Sequence, residues 1–231
     1  NMKKYLFLAV MMLIGASSLN AASPKKKAKE MTPEAKGVAS INRATAEAHV
    51  DFLACDELEG REAGWKGGRI AGNYIISCLK QMGLQPLFED GYVQPFEACH
   101  AERQKRGQRW QVHPDSIANL KQGVHQSLDL RNILCKIEGK NPNEIVIIGA
   151  HYDHLGVLGK KTYYPGAHDN ASGTAAIITL AEHYAVNKPE YDMYFIAFSG
   201  EDAYLRGSEW YAEHPVVPLS QIKYLFNLDM I

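Results

Sequence analysis

Hydrophobic and polar positions change their period along this chain. From Ile41 to Leu53 the apolar residues fall at helical spacing, and the charged, glycine-punctuated stretch from Asp56 to Gly64 reads as a structured loop after that helix. A second helix is predicted from Trp65 to Met82, with Ile70, Tyr74, Ile75, Cys78, Leu79 and Met82 on one side and Gly83 closing it as a C-terminal cap. Gly91 to Ala98 reads as a strand that Pro95 restricts to a sheet edge or a bulge. Residues 100–128 are polar without a clear period, so Arg103, Lys105, Arg106 and Arg109 are read as a solvated loop rather than an anion-binding patch.

From Leu130 the pattern becomes α/β. Leu130–Ile137 and Glu144–Ala150 read as strands, and residues 138–143 between them have the length and chemistry of a hairpin loop. Ala171–Ala185 is a helix with many small residues, Tyr191–Phe198 a buried strand, Ser208–His214 a short helix and Ile222–Met230 a further strand. Strands alternating with helices predict a parallel sheet covered on both faces.

At 231 residues and 46% hydrophobic content, the chain suffices for one domain with a sizeable core. A formal net charge of −1 leaves no basic surplus for a nucleic-acid partner. Residues 1–22 begin with Lys3 and Lys4, continue apolar from Tyr5 to Gly15 and end in small residues, the order of a secretory signal peptide. The apolar part is too short for a membrane span. The expected location is therefore exported, periplasmic or extracellular, with no span once the signal is removed. Residues 23–40 read as a flexible basic linker and residues 41–231 as the globular domain. In an oxidising compartment Cys55, Cys78, Cys99 and Cys135 have the option of pairing, with small buried residues and at most one disulfide as the simpler account.

Four strand ends or post-strand loops carry ionisable groups: His151 and Asp153; Asp169; Glu201 and Asp202; and Asp229. In a parallel sheet those loops converge on one edge. One imidazole among several carboxylates calls for cations, and nitrogen and oxygen donors without thiolate suit zinc, with manganese or cobalt also compatible. Taken locally, Asp169 also reads as a helix N-cap, Glu201–Asp202 as a solvated turn, and Asp153 as a loop residue. Asp229, in the apolar run Leu225–Met230, is expected to need a partner that offsets its desolvation.

The segments 149–154, 166–173, 199–208 and 227–230 resemble, in order, the motifs of the co-catalytic zinc exopeptidases of metallopeptidase clan MH, family 28, the bacterial leucyl-type aminopeptidases and their relatives. Residues 59–64 and 83–86 are similar to the same family's lead-in. The resemblance implies a three-layer α/β/α, phosphorylase/hydrolase-like fold with a mixed, largely parallel sheet. It implies two Zn2+ ions: His151 and Asp229 on one, Asp202 on the other, Asp169 bridging. Asp153 would orient His151, Glu201 would be the general base, and the substrate would be a peptide with a free amino terminus.

Two departures qualify this. The acidic pair of the family is usually Glu-Glu, whereas here its second member is Asp202, one methylene shorter. The family also takes a further His ligand from well downstream of the Asp229 motif, so the chain is expected to be the N-terminal portion of a longer catalytic domain. His168 and His154 lie close in sequence, and each reads more simply as a pocket wall or a hydrogen-bonding residue than as the substitute. The rival readings are a single-zinc glutaminyl cyclase of the same fold and a non-catalytic binding module.

Overall fold

The computed structural model describes residues 31–89, 91–102, 110–159 and 162–231. The signal-peptide reading and the basic cluster 103–109 lie outside these. Thr32–Ile231 forms one compact unit.

Six helices and eight strands are labelled here in chain order: α1 (Pro33–Ser40), α2 (Arg43–Leu53), α3 (Lys66–Gln81), β1 (Gln85–Pro86), β2 (Val93–Ala101), α4 (Pro114–Leu120), β3 (His125–Ile137), β4 (Asn141–His151), β5 (Val157–Leu158), β6 (Thr162–Tyr163), α5 (Ser172–Val186), β7 (Tyr191–Phe198), α6 (Arg206–Glu213) and β8 (Ile222–Asn227). The main sheet runs β1-β3-β7-β4-β8, with β2 also paired to β3. It is mixed: β4 lies parallel to β7 and β8, while β3 is antiparallel to β1, β2 and β7.

The expected β3–β4 hairpin does not form, because β7 lies between the two strands. The connecting loop bonds to the approach to β7 instead of folding back on β3. Lys140 N–H donates to Pro189 O (3.0 Å), Asn141 N–H to Glu190 O (2.7 Å), and Gly139 N–H to Asp192 Oδ1 (2.8 Å). Two further expectations need correction. Within the stretch read as a flexible linker, residues 33–40 are helical: the Thr32 hydroxyl accepts from Ala35 N–H at 3.2 Å and Pro33 occupies the first turn. Residues 100–128 are not uniformly loop, since β2 extends to Ala101, α4 follows His113, and β3 starts at His125. Pro95 sits in β2, which has β3 as its ladder partner, as an edge strand allows.

One face of the sheet packs against α3 and α5. There Ile75, Leu79, Ile133, Ile177, Ile178 and Phe195 are each at most 4% exposed. Burying each such side chain contributes about 1.5–3 kcal/mol relative to leaving it in water. On the other face Tyr211 of α6 covers Ile147 and Phe198. β8 is different: Tyr224, Leu225 and Phe226 are each more than half exposed.

All four cysteines are free thiols, so the disulfide option is not taken. Cys78 and Cys135 are embedded in the main core, and burial pushes the Cys135 thiol up to about 12. Alkylation of the denatured chain without reductant is expected to modify all four by mass spectrometry. In the native protein Cys135 is expected to be spared.

Candidate metal centre

The parallel register of β7, β4 and β8 builds the site. It sets His151 opposite Phe198 and Gly149 opposite Asn227, so the residues that follow each strand emerge at one edge. His151 is the last residue of β4; Glu201 and Asp202 follow β7 after Ser199 and Gly200; Asp229 follows β8. Leu228 N–H donates to Gly149 O at 2.8 Å, which holds the Asp229 segment beside β4.

Asp169 arrives from the loop before α5. The local N-cap reading fails there, because it is Asn170 whose side-chain oxygen accepts from Gly173 N–H at 2.9 Å. Asn170 also donates from Nδ2 to Leu228 O (2.9 Å) and accepts from Met230 N–H (3.3 Å). One amide thus ties the start of α5 to the segment carrying Asp229 and leaves the Asp169 carboxylate unused by the helix.

His151 Nε2 lies 3.1 Å from Asp169 Oδ1, 3.5 Å from Asp229 Oδ1 and 3.9 Å from Glu201 Oε2. On the other side of Asp169, its Oδ2 is 3.8 Å from His154 Nδ1, which is 3.2 Å from Asp202 Oδ2. Two groups able to hold a cation result, His151–Asp169–Asp229 and His154–Asp169–Asp202, and Asp169 belongs to both. His151, Asp153, Asp169, Glu201, Asp202 and Asp229, the site residues expected from the sequence, are brought to this edge. The Asp229 side chain, two residues after β8, is 40% exposed.

Asp153 is fully buried behind His151. Its backbone carbonyl lies 3.2 Å from His151 Nδ1 and its carboxylate 3.9 Å from the same atom, while Oδ1 accepts from Glu201 N–H at 3.3 Å. Burial pushes the Asp153 carboxyl up to about 6, against the opposing pull of His151. Burial also raises Glu201, which His151 pulls down and the neighbouring carboxylates push further up.

The sequence alone assigns no role to Arg61 and reads His154 as a pocket wall or a hydrogen-bonding residue. Arg61 is fully buried and donates to four carbonyls: Leu53 O (2.5 Å), Pro165 O (2.7 Å), Gly166 O (2.9 Å) and Tyr152 O (3.0 Å). It therefore pins the loop after β4 and the loop before Asp169 to the end of α2. Burial lowers its guanidinium to about 10, although Asp153, Asp169 and Asp202 act in the opposite direction. An arginine inside the short loop of residues 56–64 was the available signal.

Three buried atoms of the cluster, Asp153 Oδ2, His154 Nδ1 and Asp202 Oδ2, have no hydrogen-bond partner. Buried polar atoms are costly in that state. A set of imidazole nitrogens and carboxylate oxygens without thiolate fits zinc, which would satisfy lone pairs that have no donor.

The stretch that contributes these groups, residues 132–231, matches the sequence profile of peptidase family M28. Aminopeptidase YwaD of Bacillus subtilis is 36% identical over 93 residues, covering 40% of this chain and 19% of that protein. Among solved structures, the aminopeptidase from Aneurinibacillus sp. strain AM-1 superposes with a TM-score of 0.63 at 18% identity, covering 86% of this chain and 72% of that one. The Bacteroides thetaiotaomicron glutaminyl cyclase superposes at 0.58 and 19% identity, covering 81% and 61%. The chain has the mixed α/β fold of these neighbours. It spans about a fifth to a quarter of the length of the first curated relatives it matches.

Proposed function

We propose that this chain carries the active-site core of a two-zinc aminopeptidase, which removes residues from the free amino end of peptides. The observation that supports it best is Asp169, which belongs to both groups of candidate ligands. In this reading His151 and Asp229 hold one ion, Asp202 holds the other, and Asp169 bridges them. Zinc bound there would supply acidity to an attacking water and polarise the scissile carbonyl.

The chain's own groups do the rest. Glu201 is in neither ligand group, so its carboxylate is left to accept the water's proton and pass it to the departing amine. Burial favours the proton on Glu201 more than in a solvated carboxylate, which suits a group that must both take and return it. Asp153 backs His151 at Nδ1 and, through Glu201 N–H, fixes the loop that presents the base. A cavity of about 270 Å³ beside His151, Glu201 and Asp229, walled by Ile147, Phe198 and Tyr211, gives room for a substrate group.

A glutaminyl cyclase shares the fold, but two overlapping ligand groups favour hydrolysis. A binding module is disfavoured because all the sequence-derived ligands remain acidic or His and converge. The order of residues in 1–22 supports export. The test is amino-acid release from an unblocked peptide and its N-acetylated form, before and after chelation and zinc restoration. Release from the unblocked peptide alone, lost on chelation and regained with zinc, is expected. Chelator-resistant release, or ammonia without amino acid from a peptide starting in Gln, would count against the proposal.

A further inference from the structure

A second cavity, of about 140 Å³, opens beside Asp202 and shares no residue with the one beside Glu201 and Asp229. Its apolar walls come from Trp110, Leu128 and Leu155, and its charged groups are Glu62, Asp153 and Asp202. Among the described residues no Lys or Arg lines it. Glu62 is built into the wall. Its backbone bridges in parallel to His154, its carbonyl accepts from Trp65 N–H at 3.1 Å, and its side chain lies over Gly156, where a Cβ would come within 2.6 Å of Glu62 Cβ and Oε2. The φ of +75° at Gly156 also favours glycine.

The charge in this cavity is one-sided. Burial raises the Glu62 carboxyl, and among the described residues no cationic neighbour pulls it back. Arg61, next in the chain, gives its guanidinium donors to four carbonyls instead. Asp153 is fully buried, its Oδ2 has no hydrogen-bond partner, and in the two-zinc reading it holds no metal. Carboxylates in such a setting call for a cation. A bare metal ion does not match, because among the described residues neither Glu62 nor Asp153 belongs to a group of atoms close enough to hold one. A cation on an apolar stem does. Its methylenes would lie along Leu128 and Leu155, and its head would meet the carboxylates and the indole of Trp110, which attracts ammonium and guanidinium groups. The volume suits one side chain, well below the ~300–1,000 Å³ of sites that enclose whole ligands.

We propose that this cavity receives the side chain of the substrate's N-terminal residue and selects lysine or arginine there, with Glu62 as the charge that determines the preference. The inference rests on the two-zinc aminopeptidase reading above and names its substrate class. Glu201 assigns the end of the substrate. It passes a proton to the departing amine and lines the other cavity, so the residue carrying that amine lies there, and the residue ahead of the scissile bond faces Asp202.

The test compares side chains that differ only at their tip. The zinc-loaded full chain is titrated by calorimetry with the amino alcohols lysinol, argininol and norleucinol, which carry the α-amine but no scissile bond, and kcat/KM for the corresponding amino-acid amides is measured in parallel. Lysinol and argininol are expected to bind about 10–100-fold tighter than norleucinol, the usual worth of a hydrogen bond to a charged group, with the amides in the same order. Glu62→Gln is expected to collapse that ratio towards one. Glu57→Gln, which removes the same charge from an exposed position outside the cavity, is expected to keep it. If circular dichroism shows the Gln variant unfolded, Glu62→Asp, which draws the charge back, carries the comparison and is expected to lower the ratio. Norleucinol bound as tightly as lysinol, with chelator-sensitive release from norleucine amide, would overturn the assignment and leave the two-zinc reading standing, as would a wild-type ratio in the folded Glu62 variant. Neither binding nor release with any of the compounds would overturn both.

Discussion

Glu201→Gln is expected to lower kcat for release of an N-terminal residue by about 10²–10⁴-fold, the usual contribution of a positioned general base. Zinc content and folded stability should stay as in wild type. The substitution keeps the size of the side chain and removes the basic oxygen. Glu201 Oε2 stands 3.9 Å from His151 Nε2, close enough to reach a water held among the ligands, yet Glu201 belongs to neither ligand group. The hydrogen bond that sets its loop, from its own N–H to Asp153 Oδ1, does not involve its side chain and survives the change. Steady-state kinetics with metal analysis separates the outcomes. A kcat within about threefold of wild type would remove Glu201 from the mechanism, and a drop accompanied by zinc loss would recast it as a ligand.

The second large effect is structural. Arg61→Leu should cost about 3–5 kcal/mol of folding free energy, because it removes the donors for Leu53 O, Tyr152 O, Pro165 O and Gly166 O in a buried setting. For a chain of this size that corresponds to a fall of roughly 10 °C or more in Tm. Arg61→Lys should recover only part of it, since an ammonium cannot fork towards four carbonyls. Denaturant titration of the metal-free forms measures both. A cost below about 1 kcal/mol for the Leu variant would show that water replaces the guanidinium.

Much of this was legible in the sequence. Strand and helix positions after Leu130 follow from β-branched runs alternating with amphipathic segments, and all three sheet-borne motifs were found because parallel strands deliver their carboxyl ends to one edge. What was hidden is long-range. Nothing local says that β7 separates β3 from β4, because the loop at 138–143 has good turn chemistry whichever neighbour it bonds to. His154 and Arg61 act across the chain, towards Asp202 and Pro165, and no periodicity records such pairings. Asp169 was ambiguous as cap or ligand until Asn170 was seen to do the capping.

The placement of β7 also bears on how the chain reaches this structure. β3 and β4 are close in sequence and joined by a loop able to close a local pair, whereas the native sheet needs a strand made later to enter between them. Any local pair of β3 with β4 would have to open before β7 could add. Contacts of such sequence separation slow folding and prolong exposure of strand edges. The bonds from residues 139–141 to the approach of β7 act against that competitor, because they are satisfied only when the inserted order is reached.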